Sequence, residues 1–212
     1  MKVGVINPQA GFMSLEVYWR PKHDDRNSNR PGEKVSISIF RLCEPEASCY
    51  CGSGRAFQDC CQNRKKWPVV TPDPGGMGFS QSQAHSSVYP IREVAKLRQA
   101  FMADPRLQCI VDGPGADGFW LFVNDPPIET TYGRLNFADL EIKEGRLLVT
   151  AMSTKRHEVV QKLLAEIAAN FLGTASVKID PPHFLDKPAH PQMMEIKTVP
   201  RAAAKPRRRG RK

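Results

Sequence analysis

The spacing of apolar residues changes along this chain, from a period of two near its start to a helical period in its second half. Met13 to Arg20 and Lys34 to Cys43 read as extended segments; in the second, Val35, Ile37 and Ile39 alternate with Ser36, Ser38 and Phe40. Between them Pro21 to Glu33 is polar and rich in turn residues, so the two segments are expected to form a hairpin. From Tyr89 onward, Ile91, Val94, Leu97 and Phe101 recur at helical spacing until Asp104-Pro105. Leu107 to Val111 and Phe119 to Val123 flank Asp112 to Gly118 as a predicted hairpin. Leu135 to Ile142 and Arg146 to Met152 form a second, around a three-residue turn at Lys143-Glu144-Gly145. The longest helical pattern runs from Thr154 to Leu172. Val159, Leu163, Ile167 and Phe171 make one apolar row, and Val160, Leu164, Ala168 and Leu172 the next. Lys155, Arg156, Glu158, Gln161, Lys162 and Glu166 fall largely opposite. Ser153 fits the N-cap of this helix and Gly173 the residue that follows its end. A strand over Ala175 to Ile179 closes the series before Pro181-Pro182. The fold class is therefore α+β, two helices on a mainly antiparallel sheet.

Charge alters this picture at one end only. The formal net charge is +9, but the last twelve residues, RAAAKPRRRGRK, carry seven Lys or Arg and no acid, which leaves +2 for the rest. A near-balanced body offers no electropositive groove. Arg201, Lys205, Arg207, Arg208, Arg209, Arg211 and Lys212 form instead a cationic arm of the kind that binds polyphosphates by counterion release, without sequence preference. No apolar run approaches the roughly 18 to 20 residues that span a bilayer. The opening MKVGVINPQAGFM lacks the apolar core of a secretory signal, so a cytoplasmic location is expected, with Met13 an alternative start.

Chemistry concentrates in Cys49-Tyr50-Cys51 and Cys60-Cys61, four of the six cysteines within thirteen residues. A tetrahedral thiolate shell around a soft divalent ion needs four such ligands, and two short pairs separated by a turn supply them. Gly52-Ser53-Gly54 can turn sharply and aim N–H groups at sulfur, and Arg55 adds positive charge beside a shell that is formally −2 with zinc bound. The alternatives are two disulfides or four free thiols. Adjacent cysteines bridge poorly, and a reducing compartment disfavours both bridges. Four thiolates suit zinc, and they also suit ferrous iron or an iron–sulfur cluster. Cys43 and Cys109 have no partner at ligand spacing and are expected to be buried small residues.

The string CYCGSGRAFQDCC, Cys49 to Cys61, resembles the SEC-C motif, the small zinc finger at the carboxyl end of the translocase ATPase SecA and in many bacterial proteins. The cysteine spacing, Gly-Ser-Gly, a basic residue and an aromatic before the last pair all agree, and Cys61 fills the position that is Cys or His in that family. The resemblance implies a metal-binding docking module. In the translocase family that module contacts the export chaperone SecB, the ribosome and phospholipid.

The expected organisation is a β-hairpin with a zinc knuckle over 1–66 (the knuckle at 49–61), a connector over 67–90, an α+β body over 91–182 and a flexible basic tail over 183–212. Trp67 is placed to cap the metal lobe against the body. The function that follows is a zinc-binding, non-enzymatic adaptor docking on a protein or ribonucleoprotein. Cys49, Cys51, Cys60 and Cys61 would be its ligands, and Arg55, Arg64, Lys65 and Lys66 its cationic surface. The alternative is a nucleic-acid-binding regulator that adds Arg207, Arg208, Arg209 and Arg211 of the tail. A metal-dependent hydrolase in the body ranks third.

Other candidates read more simply. His23, His85, His157, His183 and His190 form no spaced metal pair, and His157-Glu158 reads as an ordinary exposed pair. Gly113-Pro114-Gly115 and Pro74-Gly75-Gly76 lack the Lys-Ser/Thr signature of a phosphate loop and read as turns. Asp112, Asp117, Asp125, Asp139 and Glu141 could suggest a metal-dependent nuclease, but fit turn caps and solvent-facing strand positions better. Phe119, Trp120 and Phe122 have acidic or apolar neighbours, which favours core packing over base stacking.

Overall fold

The computed structural model describes residues 10–19, 33–42, 45–49, 51–75, 79–112, 117–130 and 133–186. In chain order the strands and helices are β1 (Ala10–Trp19), β2 (Glu33–Leu42), β3 (Lys66–Pro72), β4 (Phe79–Gln81), β5 (His85–Pro90), α1 (Val94–Ala103), β6 (Leu107–Asp112), β7 (Gly118–Phe122), β8 (Glu129–Thr130), β9 (Gly133–Leu135), β10 (Ala138–Lys143), β11 (Arg146–Ala151), α2 (Thr154–Ile167), β12 (Ser176–Ile179) and β13 (Phe184–Asp186). A single 3-10 turn, Ala169–Phe171, follows α2. The architecture is α+β, with two helices and mainly antiparallel sheets.

The first sheet orders its strands β13-β3-β1-β9-β8, with β2 on β1 and β4 on β3. β1 and β2 pair antiparallel over their whole length, Ala10 opposite Leu42 and Trp19 opposite Glu33, as the two extended segments predict. Pairing of β1 with β3 is parallel, through Phe12 with Val69 and Met13 with Val70. The polar loop over Pro21 to Arg30 and Cys43 lie outside the described residues.

The second sheet runs β12-β5-β11-β10-β7-β6 and is antiparallel throughout. Both predicted hairpins are present. That of β10 and β11 turns on two residues rather than three: Glu144 and Gly145 both take positive φ, 50° and 71°. Positive φ at both central positions matches the twist of the flanking strands. The β6–β7 hairpin carries a bulge between Cys109 and Val111. At its start Gly118 lies under the indole of Trp120, where a Cβ would come within 2.4 Å of the ring.

Both helices are shorter than their patterns. α1 begins at Val94, because Tyr89 belongs to β5 and Ile91 makes a lone bridge to Leu172. α2 stops at Ile167, so Gly173 is not its terminal residue; Gly173 instead donates its N–H to Pro90 O at 2.8 Å. Ser153 is the N-cap as predicted, its Oγ accepting from Arg156 N at 3.3 Å. Leu97 and Phe101 of α1 and Val160, Leu163 and Leu164 of α2 enter one core with Trp120, Phe122, Leu140 and Ile142 of the second sheet and Val70 and Leu135 of the first. Phe101 and Trp120 meet edge to face at 5.4 Å, and Phe119 packs with Leu121 and Val123, so the three aromatics of β7 serve packing.

Two expectations fail. The span 67–90 is not a connector: it holds β3, β4 and β5, and every residue from Trp67 to Pro72 is buried. Its prolines mislead because the ladder draws on Val69, which donates to His183 O at 3.0 Å and accepts from Ser82 N at 2.7 Å, and asks no donor of Pro68 on that edge. For the same reason the tail does not begin at 183, since β13 pairs Phe184 with Pro68. Among the described residues no helix is long and apolar enough to cross a membrane.

Candidate metal centre

The described residues of 45–64 carry neither helix nor strand and are organised by short-range hydrogen bonds. Cys49 N donates to Arg55 O (2.8 Å), Phe57 N to Ala47 O (2.9 Å) and Gln58 N to Pro45 O (2.9 Å), while Ser48 and Ala56 form an antiparallel bridge. The chain reverses between these contacts through Gly52 and Gly54, at φ 76° and 72°. That region favours glycine on conformational grounds alone, since a Cβ at either position would touch nothing. A second set of turns, Asp59 N to Ala56 O, Cys60 N to Phe57 O and Arg64 N to Cys61 O, carries the later cysteine pair back to the first.

The result brings four Sγ atoms within 4.8 Å of one another. Cys51 and Cys60 are 3.4 Å apart and Cys60 and Cys61 3.8 Å, all as free thiols. Zinc–sulfur bonds of about 2.3 Å at tetrahedral angles would give a sulfur–sulfur edge of about 3.8 Å. Disulfide bonding would require about 2.05 Å. Cys49, Cys60 and Cys61 are buried and Cys51 is half-buried. The donor set and its spacing therefore fit a four-coordinate ion. Among the described residues this is the group of ligand atoms that converges; Asp117, Asp125, Asp139 and Glu141 do not. Asp139, in β10, instead accepts from Asn136 Nδ2 at 2.9 Å.

Electrostatics at the cluster follow from crowding. Burial acts to raise the Cys51 thiol, but hydrogen bonds from the side chain and backbone of Ser53, then from Cys60 and Cys49, bring it down to about 6. Burial, followed by competition among the neighbouring sulfurs, pushes Cys61 well up, and burial foremost raises Cys49. Ser53 Oγ lies 3.2 Å from Cys60 Sγ, and Arg55 Nη2 donates to the same sulfur at 3.7 Å. Arg55 thus stands where the sequence places it, beside the thiols.

An apolar contact joins this lobe to the sheet. Phe57 is fully buried and meets Trp67 of β3 edge to face at 6.1 Å, and both pack with Cys49, Cys60 and Cys61. Trp67 is therefore the expected cap. Arg64, Lys65 and Lys66 are exposed immediately after the cluster. Arg207, Arg208, Arg209 and Arg211 lie outside the described residues. Cys109 is only half-buried in β6, less than its apolar context predicts.

A second polar cluster escapes the sequence reading. His157 is buried, not exposed, with its ring centroid 5.1 Å from that of His85. His157 Nε2 and Ser87 Oγ are 2.6 Å apart, and His85 Nε2 and Thr154 Oγ1 3.2 Å. Ser87 is fully buried, so this arrangement packs α2 on β5 and offers no nucleophile to solvent. Arg156 is also buried, not solvent-facing. Its Nε donates to Pro72 O (2.9 Å), its Nη1 to Asn136 O (3.0 Å), and its guanidinium lies 5.1 Å from the Phe137 ring centroid. The signal for both was present: Arg156 and His157 continue the apolar positions of Val160 and Leu164 back by one turn.

The SEC-C motif family model matches residues 47–63. The match is confined to that segment, which contains the four clustered cysteines. Neither a comparison with curated proteins nor one with solved structures returned a match.

Proposed function

We propose that the protein is a zinc-binding, non-enzymatic adaptor that docks on a protein or ribonucleoprotein partner through its SEC-C knuckle. The observation that carries this reading is the cluster of four thiols, three of them buried, on a lobe with little apolar content of its own. With all four ligands supplied by the chain, a bound ion keeps no open position for water, so its part is to hold the lobe's shape. Zinc is the ion best matched to four thiolates at this spacing; iron accepts the same set. Around the lobe Arg55, Arg64, Lys65 and Lys66 present positive charge to solvent, which favours an acidic or phosphate-bearing partner face.

Elemental analysis of purified protein should give one equivalent of zinc, abolished in Cys60→Ser/Cys61→Ser. Crosslinked partners from lysate should be lost in the same variant, and a metal-free wild-type protein would overturn the reading. The run Arg64-Lys65-Lys66 and the basic tail also support a nucleic-acid-binding reading. A salt titration with and without residues 200–212 separates the two: binding that vanishes with the tail and ignores the knuckle reduces it to a nonspecific arm.

A further inference from the structure

The four thiols of the knuckle are not equivalent. Cys49, Cys60 and Cys61 are buried, whereas Cys51 is half-buried and is the sulfur that a small solute meets first. Its Sγ lies 3.4 Å from that of Cys60. Cys60 is in turn held to the turn that carries Cys51, since Ser53 Oγ stands 3.2 Å from its sulfur and Arg55 Nη2 donates to it at 3.7 Å. The cluster therefore presents an outer sulfur with a second one fixed against it.

Chain geometry narrows the pairing these sulfurs could make. Cys60 and Cys61 are adjacent, at 3.8 Å, and Cys49 and Cys51 have a single residue between them, so a bridge within either pair would close a small strained ring. Pairs that use Cys49 or Cys61 draw on the more deeply buried sulfurs. Cys51 with Cys60 spans the Gly52–Gly54 turn and escapes both objections. A bridge there would withdraw two of the four donors. Cys49 and Cys61 alone do not make the closed shell of a structural ion, and one cross-link constrains so short a lobe far less than four bonds to a common centre. Cys109, half-buried in β6, stands apart from the cluster.

We infer that the knuckle is a peroxide-responsive switch, in which Cys51 and Cys60 form a disulfide that opens the four-thiolate shell and releases the lobe. This rests on the metal-held adaptor reading and adds regulation to it. The Cys51 sulfur attacks one oxygen of a hydroperoxide: an S–O bond forms, the O–O bond breaks, and the other oxygen leaves as an alcohol, or as water from hydrogen peroxide, once protonated. The Cys60 sulfur then attacks Cys51, forming the S–S bond and expelling hydroxide, which takes a proton and leaves as water. Two electrons pass from the sulfurs to the peroxide. Two thiolates, one hydroperoxide and two protons thus give one disulfide, one water and one alcohol, or a second water. A thiol reductant reverses the bridge and lets the shell refill, as suits a transient disulfide in a reducing compartment.

The test treats the zinc-loaded full chain with hydrogen peroxide in small excess. It follows zinc with a chromogenic chelator, thiol pairing by peptide mass mapping, and amide exchange across 47–63. Zinc should leave in step with a Cys51–Cys60 cross-link, the amides of the knuckle should lose protection while β10 and β11 keep theirs, and dithiothreitol with added zinc should restore both. Cys51→His, which keeps a four-donor set without the outer sulfur, should release zinc at least about tenfold more slowly, and Cys109→Ser should leave the rate unchanged. The wild-type map decides even where Cys51→His holds no metal. A dominant cross-link other than Cys51–Cys60, zinc retained while peroxide is consumed, or a loss of zinc that dithiothreitol cannot reverse overturns the switch. Zinc and a crosslinked partner both kept through peroxide treatment refute the switch and leave the adaptor standing, whereas protein isolated without zinc overturns the adaptor reading and the switch with it.

Discussion

Stripping the ion should unfold the knuckle and leave the second sheet in place. Ordering the seventeen residues of the span 47–63 costs about 25 kcal/mol at roughly 1.5 kcal/mol per residue. Among its described residues the large apolar side chain that becomes fully buried is Phe57, and some 200 Å² of burial contributes about 5 kcal/mol. The eight backbone hydrogen bonds described between Pro45 and Arg64 add about 8 kcal/mol at about 1 kcal/mol each. What is missing, about 12 kcal/mol, lies within the roughly 10–16 kcal/mol that structural zinc supplies to finger-sized peptides. Amide exchange followed by mass spectrometry, before and after chelation, reads this directly. Peptides covering 47–63 should go from protected to near the rate of an unfolded chain, while β10, β11 and α2 keep their protection. Trp67 should lose its cover at the same time and shift its emission to the red, a shift that Trp67→Phe removes. Knuckle amides that stay protected in metal-free protein would refute the reasoning, because the lobe would then be held by its own packing.

Further outcomes follow from the packing and the buried charges. Arg156→Met keeps an apolar stem near Phe137 but leaves the Pro72 and Asn136 carbonyls without their donor; urea denaturation should show a loss of about 3 kcal/mol, and a loss below about 1 kcal/mol would contradict the assigned role. His85 and His157 are both held below the ordinary imidazole range, foremost by burial, so the folded state takes up protons less readily than the unfolded chain. Stability should therefore be fully present above about pH 6.5 and fall as pH drops from there toward the folded values; His157→Gln should flatten that slope in thermal melts across the range. Phe57→Ala should destabilise the lobe by about 3–5 kcal/mol and weaken zinc retention in chelator competition without shifting the main transition. Gly118→Ala drives a methyl into the Trp120 indole and should cost the sheet about 1–3 kcal/mol in denaturant, with the lobe's zinc unchanged.

The second half of the chain is legible in its sequence because its determinants are local. The rows through Val160 and Leu164, the Ser153 cap and the turn at Gly145 each lie within a few residues of what they specify. The thiol cluster is legible for the same reason, four cysteines and their glycine turns falling within thirteen residues. What escapes depends on distant partners. β3 reads as a linker because Pro68, Pro72 and a following run of turn residues dominate its composition, while its strand character comes from β1, β4 and β13. Arg156 and His157 read as exposed because side-chain polarity is a poor guide where carbonyls 84 and 20 residues away, or a serine 70 away, wait to receive them.

β3 is the element through which the knuckle and the body act on each other. Six residues after the last thiol, Trp67 closes the metal lobe, and three residues further Val70 sits in the core shared with α1, α2 and the second sheet. Between them Val69 donates to His183 O just before β13, so the β3–β13 pairing is fixed by the same short segment. An ion that ordered the lobe would thus also fix the Trp67 end of β3. Loss of metal should release the lobe and this end of the β3–β13 pairing together. That coupling distinguishes a knuckle integrated with the sheet from a finger merely appended to an unrelated body, in which β3 and β13 would keep their pairing whether or not the thiols were filled.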